Sequence, residues 1–407
     1  MKKKYAFAGA SSRAYDSYAK PLSTKYADTA ELVGIYDINI GRSEIISKNC
    51  GNIPVFDNFD KMIEASKPDA VIVTTVDAYH SDYVVRSLEL GCEVIVEKPL
   101  TIDAEKCKAI LDAEKKYNKK VTVIFNMRYV PFASKVKELI LSGAVGDVYN
   151  VHFEWLLDRV MSFSAHGTSY FRRWNSRMAK SGGLLLHKST HHFDFINWVI
   201  DAVPKKVSAF GKLNVYGKNG AYRGKNCRSC EHTEECPFFY KLSAFEREFY
   251  AEQEKYDGYY KDGCVFSEEI DIYDTVSLNV LYDKGQLMSY SLNAAAAYEG
   301  WRVAINGSKG RLEAFSPFTG FQSGESSIKV FDLGDNLTEY RVAELQGTHG
   351  GSDDLMRDEI FGQKPLKPDP LGRAADISAG VNSLMIGASA NISIKQGVVV
   401  DIDELLN

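Results

Sequence analysis

From residue 1 to about 125 the chain alternates short, wholly apolar runs with longer stretches in which apolar residues recur every three or four positions. The runs at 5–8, 32–36, 70–74, 93–96 and 121–125 are rich in β-branched residues and too short for helices, so they read as strands buried on both faces of a parallel sheet. The stretches at 59–65, 79–90 and 103–117 carry helical spacing, and Gly91 stands where a helix would stop. Strand, helix, strand in steady succession predicts a doubly wound, Rossmann-type dinucleotide-binding domain over residues 1–125.

The pattern then changes. A helix is predicted over 131–141, and stretches such as 147–155 and 275–282 alternate apolar with polar residues, as strands with one buried face do. A last helix spans 374–395. Residues 126–407 therefore predict an α+β domain around a large, mostly antiparallel sheet. The segment 215–270 interrupts it with Tyr250, Tyr256, Tyr259 and Tyr260 among glutamates and no clear period, and reads as an insertion.

Composition narrows the function. A formal net charge of -5 and a pI near 6.0 leave no basic excess for a phosphate backbone, so nucleic acid is not an expected partner. No run reaches the ~18 consecutive apolar residues of a membrane span, and the apolar stretch after Lys4 is too short for a signal peptide, so a cytoplasmic protein without membrane contact is expected.

The first turn, Gly9-Ala10-Ser11-Ser12-Arg13-Ala14, keeps one glycine of the three in a pyrophosphate-binding fingerprint, with small residues at the other two positions. Small residues still let a backbone approach a pyrophosphate at a helix N-terminus. Asp37 ends the second strand, 28 residues after Gly9, where a carboxylate accepts from ribose hydroxyls and repels a 2′-phosphate. That favours NAD over NADP, with Arg42 arguing the other way. Glu97-Lys98-Pro99 places a lysine at the carboxyl edge of the sheet, where such folds bind ligands.

These pieces, together with Val73-Thr74-Thr75 and His80, Arg128-Tyr129 with Pro131, Gly182-Gly183, and His191 with Asp194, form an ordered set that resembles the Gfo/Idh/MocA family, named for glucose-fructose oxidoreductase and inositol dehydrogenase. The resemblance implies that Gly9, Ser11, Ser12, Arg13, Asp37, Thr74, Thr75, His80, Glu97 and Lys98 hold NAD. It also implies that Lys98 orients a substrate hydroxyl and that His191 is the general acid/base. The family usually has aspartate and glycine where this chain has His187 and Ser189, which leaves open what orients His191 and adds His187 to the catalytic candidates. Arg128, Arg172, Arg173, Trp174, His191 and His192 are candidates to surround the substrate, with domain-interface packing as the alternative for the arginines and the tryptophan. His187 with His191, or His192 with Asp194, could instead ligate a metal, but no third ligand is evident. The loop His349-Gly350-Gly351, with Asp353 after it, could line the same cleft. The resemblance further implies a homodimer or homotetramer.

Cys227, Cys230 and Cys236, followed by Cys264, have spacing that suggests structural zinc, with His232 as the other fourth ligand; free thiols and an iron-sulfur cluster are the alternatives. The expected function is a hydride-transferring dehydrogenase acting on a sugar, glycoside or cyclitol. Two other readings remain: a glycosidase that retains NAD and oxidises its substrate transiently, and a ligand sensor without catalysis.

Overall fold

The computed structural model describes residues 2–159, 166–320, 323–343, 345–346, 349–362 and 368–406. The apolar runs of the first part form six parallel strands: β1 (Lys3–Ala8), β2 (Ala30–Tyr36), β3 (Val55–Phe56), β4 (Ala70–Val73), β5 (Glu93–Glu97) and β6 (Val121–Ile124). Their order is β3-β2-β1-β4-β5-β6. The chain thus winds one way from β1 to β3 and the other way from β4 to β6, which opens a crevice at the carboxyl ends of β1 and β4. Val71, Ile72 and Val73 of the central β4 are fully buried, since helices cover both faces. The two-residue β3 is too short to leave a pattern in the sequence.

The second sheet has nine strands: β7 (Val148–Asp158), β8 (Pro204–Lys212), β9 (Thr275–Tyr282), β10 (Leu287–Ala296), β11 (Gly300–Gly307), β12 (Gly310–Pro317), β13 (Ser327–Asp332), β14 (Leu337–Tyr340) and β15 (Val400–Asp401). Their order is β14-β13-β12-β11-β7-β10-β9-β8-β15, and every pairing is antiparallel except β7 with β10. The alternation read from the sequence appears directly in β9, where Val276, Leu278, Val280 and Tyr282 are buried while Ser277, Asn279 and Leu281 face outward. The buried face lies against helices Thr190–Ile200 and Ile377–Gln396. The latter is long and apolar enough to cross a membrane by composition, yet 67% of its apolar window is buried within the protein, as in a core helix.

The aperiodic segment between β8 and β9 is built of short helical turns. Its helix Ala244–Phe249 is set by a reciprocal cap, in which Ser243 Oγ accepts from the Glu246 amide and the Glu246 carboxylate accepts from the Ser243 amide. Phe245 and Phe249 stack on Tyr15 at 5.7 and 6.2 Å, so the insertion packs onto the first helical segment of the nucleotide-binding region.

Candidate active site

At the end of β1, Gly9 has φ +108°, and a Cβ there would lie 2.6 Å from the Thr75 amide nitrogen. Only glycine permits this close passage of β1 against the end of β4. Ser11 then caps the following helix by accepting from the Ala14 amide at 3.1 Å. The helix N-terminus is thereby aimed into the crevice, where an anion is favoured. Thr74 Oγ1 donates to the Gly9 carbonyl at 2.8 Å, and the buried His80 ring sits between the carbonyls of Pro99 and Thr75, 2.8 and 3.2 Å from its two nitrogens, at the β4 and β5 ends.

Asp37 accepts from the amides of Ala10 and Asn39, both at 2.6 Å. Arg42 is held by two carboxylates, Asp37 at 3.3 Å and Asp257 at 2.7 Å. Asp257 belongs to the insertion, as does Tyr250, whose hydroxyl donates to Ser12 Oγ at 2.8 Å and accepts from the Ser12 amide at 3.2 Å. The insertion therefore reaches across the dinucleotide groove and touches the turn that would carry a pyrophosphate. Glu97 accepts from Arg13 Nε at 2.7 Å and Tyr18 at 2.6 Å. Burial opposes ionisation of Glu97, but the adjacent Arg13 and Lys98 cations hold it below the usual glutamate range. Arg13 continues to Asp353, which also accepts from Asn126 at 2.7 Å and pairs with His349 at 2.9 Å.

Most of these groups, though not Gly9, Tyr18 or Asp353, border one cavity of about 840 Å³. At its far end stand Lys98, His187, Lys188, His191, Tyr170, Arg173 and Trp174. Lys98 Nζ donates to the His187 carbonyl at 2.7 Å, and burial lowers its pKa to about 8. His187 Nδ1 lies 2.7 Å from Asp77 Oδ2, and its ring meets Trp174 edge-on at 5.2 Å. Burial, then the Lys98 and Arg173 cations, hold the His187 imidazole well below the usual histidine range, so it is neutral at pH 7. Burial pushes Asp77 up, while Lys98 and Arg173 favour its charged form. A neutral imidazole beside a carboxylate carries its proton on Nδ1, which leaves the Nε2 lone pair free to accept another proton.

The carboxylate missing at position 187 is thus replaced by Asp77 from the first domain, and it serves His187. His191 has no such partner: its Nδ1 is buried without a hydrogen bond among the described residues, so Nε2 is the nitrogen left for a ligand. Burial also keeps this imidazole neutral. Ser189, the other departure from the family pattern, accepts from Tyr290 at 2.9 Å in the core.

The structure places three of the substrate-site candidates away from the cavity lining. Arg128 is sequestered in a buried bidentate pair with Asp194, at 2.8 and 2.6 Å. Arg172 is turned away to Cys227 Sγ at 3.2 Å and the carbonyls of Phe238 and Gly263, where it pins the insertion. His192 is packed between Phe153 and Trp155 and hydrogen-bonded to Tyr290 at 3.0 Å, a core position. Arg173 and Trp174, by contrast, line the cavity, as does His349. The described residues do not show the zinc site expected at the cysteines. Cys227, Cys230, Cys236 and Cys264 border one small pocket with Arg172, but among the described residues no group of three or more His, Cys, Asp or Glu is arranged to hold a metal. Sequence reasoning passed over Asp77, Lys188, Tyr250, Asp257, Tyr259 and Lys261. Asp77 alone had a local signal, since it follows the carboxyl end of a central parallel strand; the others are brought in by the tertiary fold.

Comparison with known proteins agrees with this fold. Residues 3–125 match the model of an oxidoreductase family with an NAD-binding Rossmann fold, GFO_IDH_MocA, and residues 137–402 match that family's C-terminal alpha/beta domain. The chain is 37% identical to YteT of Bacillus subtilis (strain 168), over 99% of its own length and 98% of that protein's. It is 25% identical to the glucose-6-phosphate 3-dehydrogenase of the same organism, over 57% of this chain and 70% of that one. The WlbA dehydrogenase from Bordetella pertussis, solved in complex with NADH and UDP-GlcNAcA, shares the fold, with a TM-score of 0.67 at 16% identity over 98% and 99% of the two chains.

Proposed function

The chain belongs to the Gfo/Idh/MocA oxidoreductase family, and from that premise we propose that it is an NAD-dependent dehydrogenase acting on a secondary hydroxyl of a sugar, glycoside or cyclitol. The observation that carries the reading is the junction of Lys98, the Asp77–His187 pair and His191 at one end of a cavity whose other end is a dinucleotide cradle. The names of the relatives, among them a glucose-6-phosphate 3-dehydrogenase and a scyllo-inositol 2-dehydrogenase, support the substrate class.

The residues present fit a dinucleotide. Gly9 lets β1 pass close against the end of β4, where a Cβ would meet the Thr75 amide, the capped helix at Ser11 points its amides inward, and Asp37 lines the groove. Arg42 is neutralised by Asp37 and Asp257, which supports NAD over its 2′-phosphorylated form. A bound nicotinamide supplies the acceptor for the hydride leaving the carbinol carbon.

The chain's own residues handle the proton. His187 Nε2 takes it from the substrate hydroxyl, and Asp77 stabilises the imidazolium that results. The Lys98 ammonium and His191 Nε2–H donate to the same oxygen as it becomes a carbonyl. Trp174, edge-on to His187, offers an apolar surface for a sugar ring beside the base. Reduction runs the same steps backward.

The reading is tested by following absorbance of the reduced nicotinamide when protein and NAD meet a panel of sugars, glycosides and cyclitols. Stoichiometric NADH with any of them, lost in Lys98→Met and His187→Asn, supports it; no NADH across the panel refutes it. One observation favours a second reading, a glycosidase that returns its hydride: Tyr250 and Asp257 of the insertion cover the groove and would hinder dinucleotide exchange. Glycoside cleavage without NADH accumulation would select it. The proposal also includes a homo-oligomer formed through the open face of the nine-stranded sheet, supported by Phe210, Leu281 and Leu287 on adjacent strands, which are 81%, 38% and 55% exposed.

A further inference from the structure

The cavity carries more positive charge than hydride transfer from a neutral sugar requires. Seven cationic side chains border it against four carboxylates, in a protein whose formal net charge is -5. The carboxylates are already matched: Glu97 holds Arg13, Asp37 and Asp257 share Arg42, and Asp77 faces His187 and Lys98. Arg173, Lys180, Lys188 and Lys261 remain.

Two of these lie at the reacting end. Lys188 directly follows His187 in the chain and is half-buried, and among the described residues no hydrogen bond or ion pair reaches its ammonium. Glu299 is the carboxylate that acts on it most strongly. Among the described residues Arg173 donates to the carbonyl and hydroxyl of Ser169, at 3.1 and 3.5 Å, and its field reaches Asp77, His187, Lys188 and Lys261. Burial first, and then Arg173, bring Lys261 down to about 8, although Glu246 lies 3.8 Å away. Partly desolvated cations that disfavour one another need a counter-ion. The pyrophosphate of a dinucleotide belongs at the Ser11–Ser12 helix start, away from this end.

We infer that the substrate is an anionic sugar, with a carboxylate or phosphate received by Arg173 and Lys188 beside the Asp77–His187 base. The inference rests on the dehydrogenase reading for its location, but not for its test. A guanidinium and an ammonium converging on one anion give charge-assisted hydrogen bonds, which are the strong class of such contacts.

The test is binding to the NAD-loaded protein by calorimetry, with glucose, glucuronate and glucose 6-phosphate as probes, at low and high salt. At least tenfold tighter binding of one or both anions than of glucose, weakened by salt and lost in Arg173→Met and Lys188→Met, is the expected result. The two anions tell carboxylate from phosphate. Lys188→Arg should keep the preference and Lys188→Met should not, while NAD affinity changes less than threefold in either. Equal binding of glucose and both anions, or variants that weaken NAD rather than the anion, would overturn the inference. Because binding is read without turnover, an absence of NADH formation would count against the dehydrogenase reading and leave this result standing on its own.

Discussion

Replacing Asp77 with asparagine tests the proton-transfer assignment most directly. The Asp77–His187 contact is 2.7 Å and buried, so the variant is nearly isosteric and tests hydrogen-bond polarity rather than packing. An asparagine amide can donate to Nδ1, which moves the ring proton to Nε2 and removes the lone pair that accepts the substrate proton. General-base loss lowers rates by ~10²–10⁴, and a reversed tautomer alone reaches the upper end; this corresponds to about 3–5 kcal/mol of barrier at ~1.4 kcal/mol per tenfold. The assay is NADH formation with the best substrate of the panel, with kcat and KM for sugar and NAD measured separately across pH. The loss should appear in kcat with little change in KM for NAD. Asp77 also favours the Lys98 ammonium, so the variant should move the alkaline fall in activity to below about 8. Activity within tenfold of the parent, with the alkaline limb unmoved, would refute the assignment of His187 as base.

Other predictions follow from the same geometry. Because burial brings Lys98 to about 8, its ammonium is present below that pH, so kcat/KM should fall as pH rises through 8, and Lys98→Arg should move the fall to higher pH. Gly9→Ala should cost about 1–3 kcal/mol through its strained φ, measured by chemical denaturation, and also weaken NAD binding by fluorescence titration, since the new Cβ meets the Thr75 amide. Tyr250→Phe removes one hydroxyl from the Ser12 contact, worth about 0.5–1.5 kcal/mol; stopped-flow dissociation of NADH should quicken by up to about tenfold, and an unchanged rate would remove the insertion from cofactor retention. Asp37→Ser should reduce the preference for NAD over NADP by about 10–100-fold, the worth of a charged hydrogen bond, with Arg42 freed to meet a 2′-phosphate.

The sequence by itself determined the sheet architecture, because hydrophobic period is a local property. Runs buried on both faces mark parallel strands, alternation marks the half-exposed strands of the second sheet, and helix 131–141 is legible to the residue. It also located Lys98 and the Gly9 turn, since a strand's carboxyl end is readable and ligands gather there. What it could not decide was which distant groups meet. Asp77 and His187 stand 110 residues apart and bond across two domains, a pairing that no local spacing encodes. Arg128 and Arg172 carry the same guanidinium as Arg173, yet only Arg173 faces the cavity, because Asp194 claims the first and the carbonyls of the insertion claim the second. Charged side chains go to whichever partner the packed chain brings within about 3 Å. That choice is made by the tertiary structure, and so the orientation of the base and the excess of cations around it became visible only there.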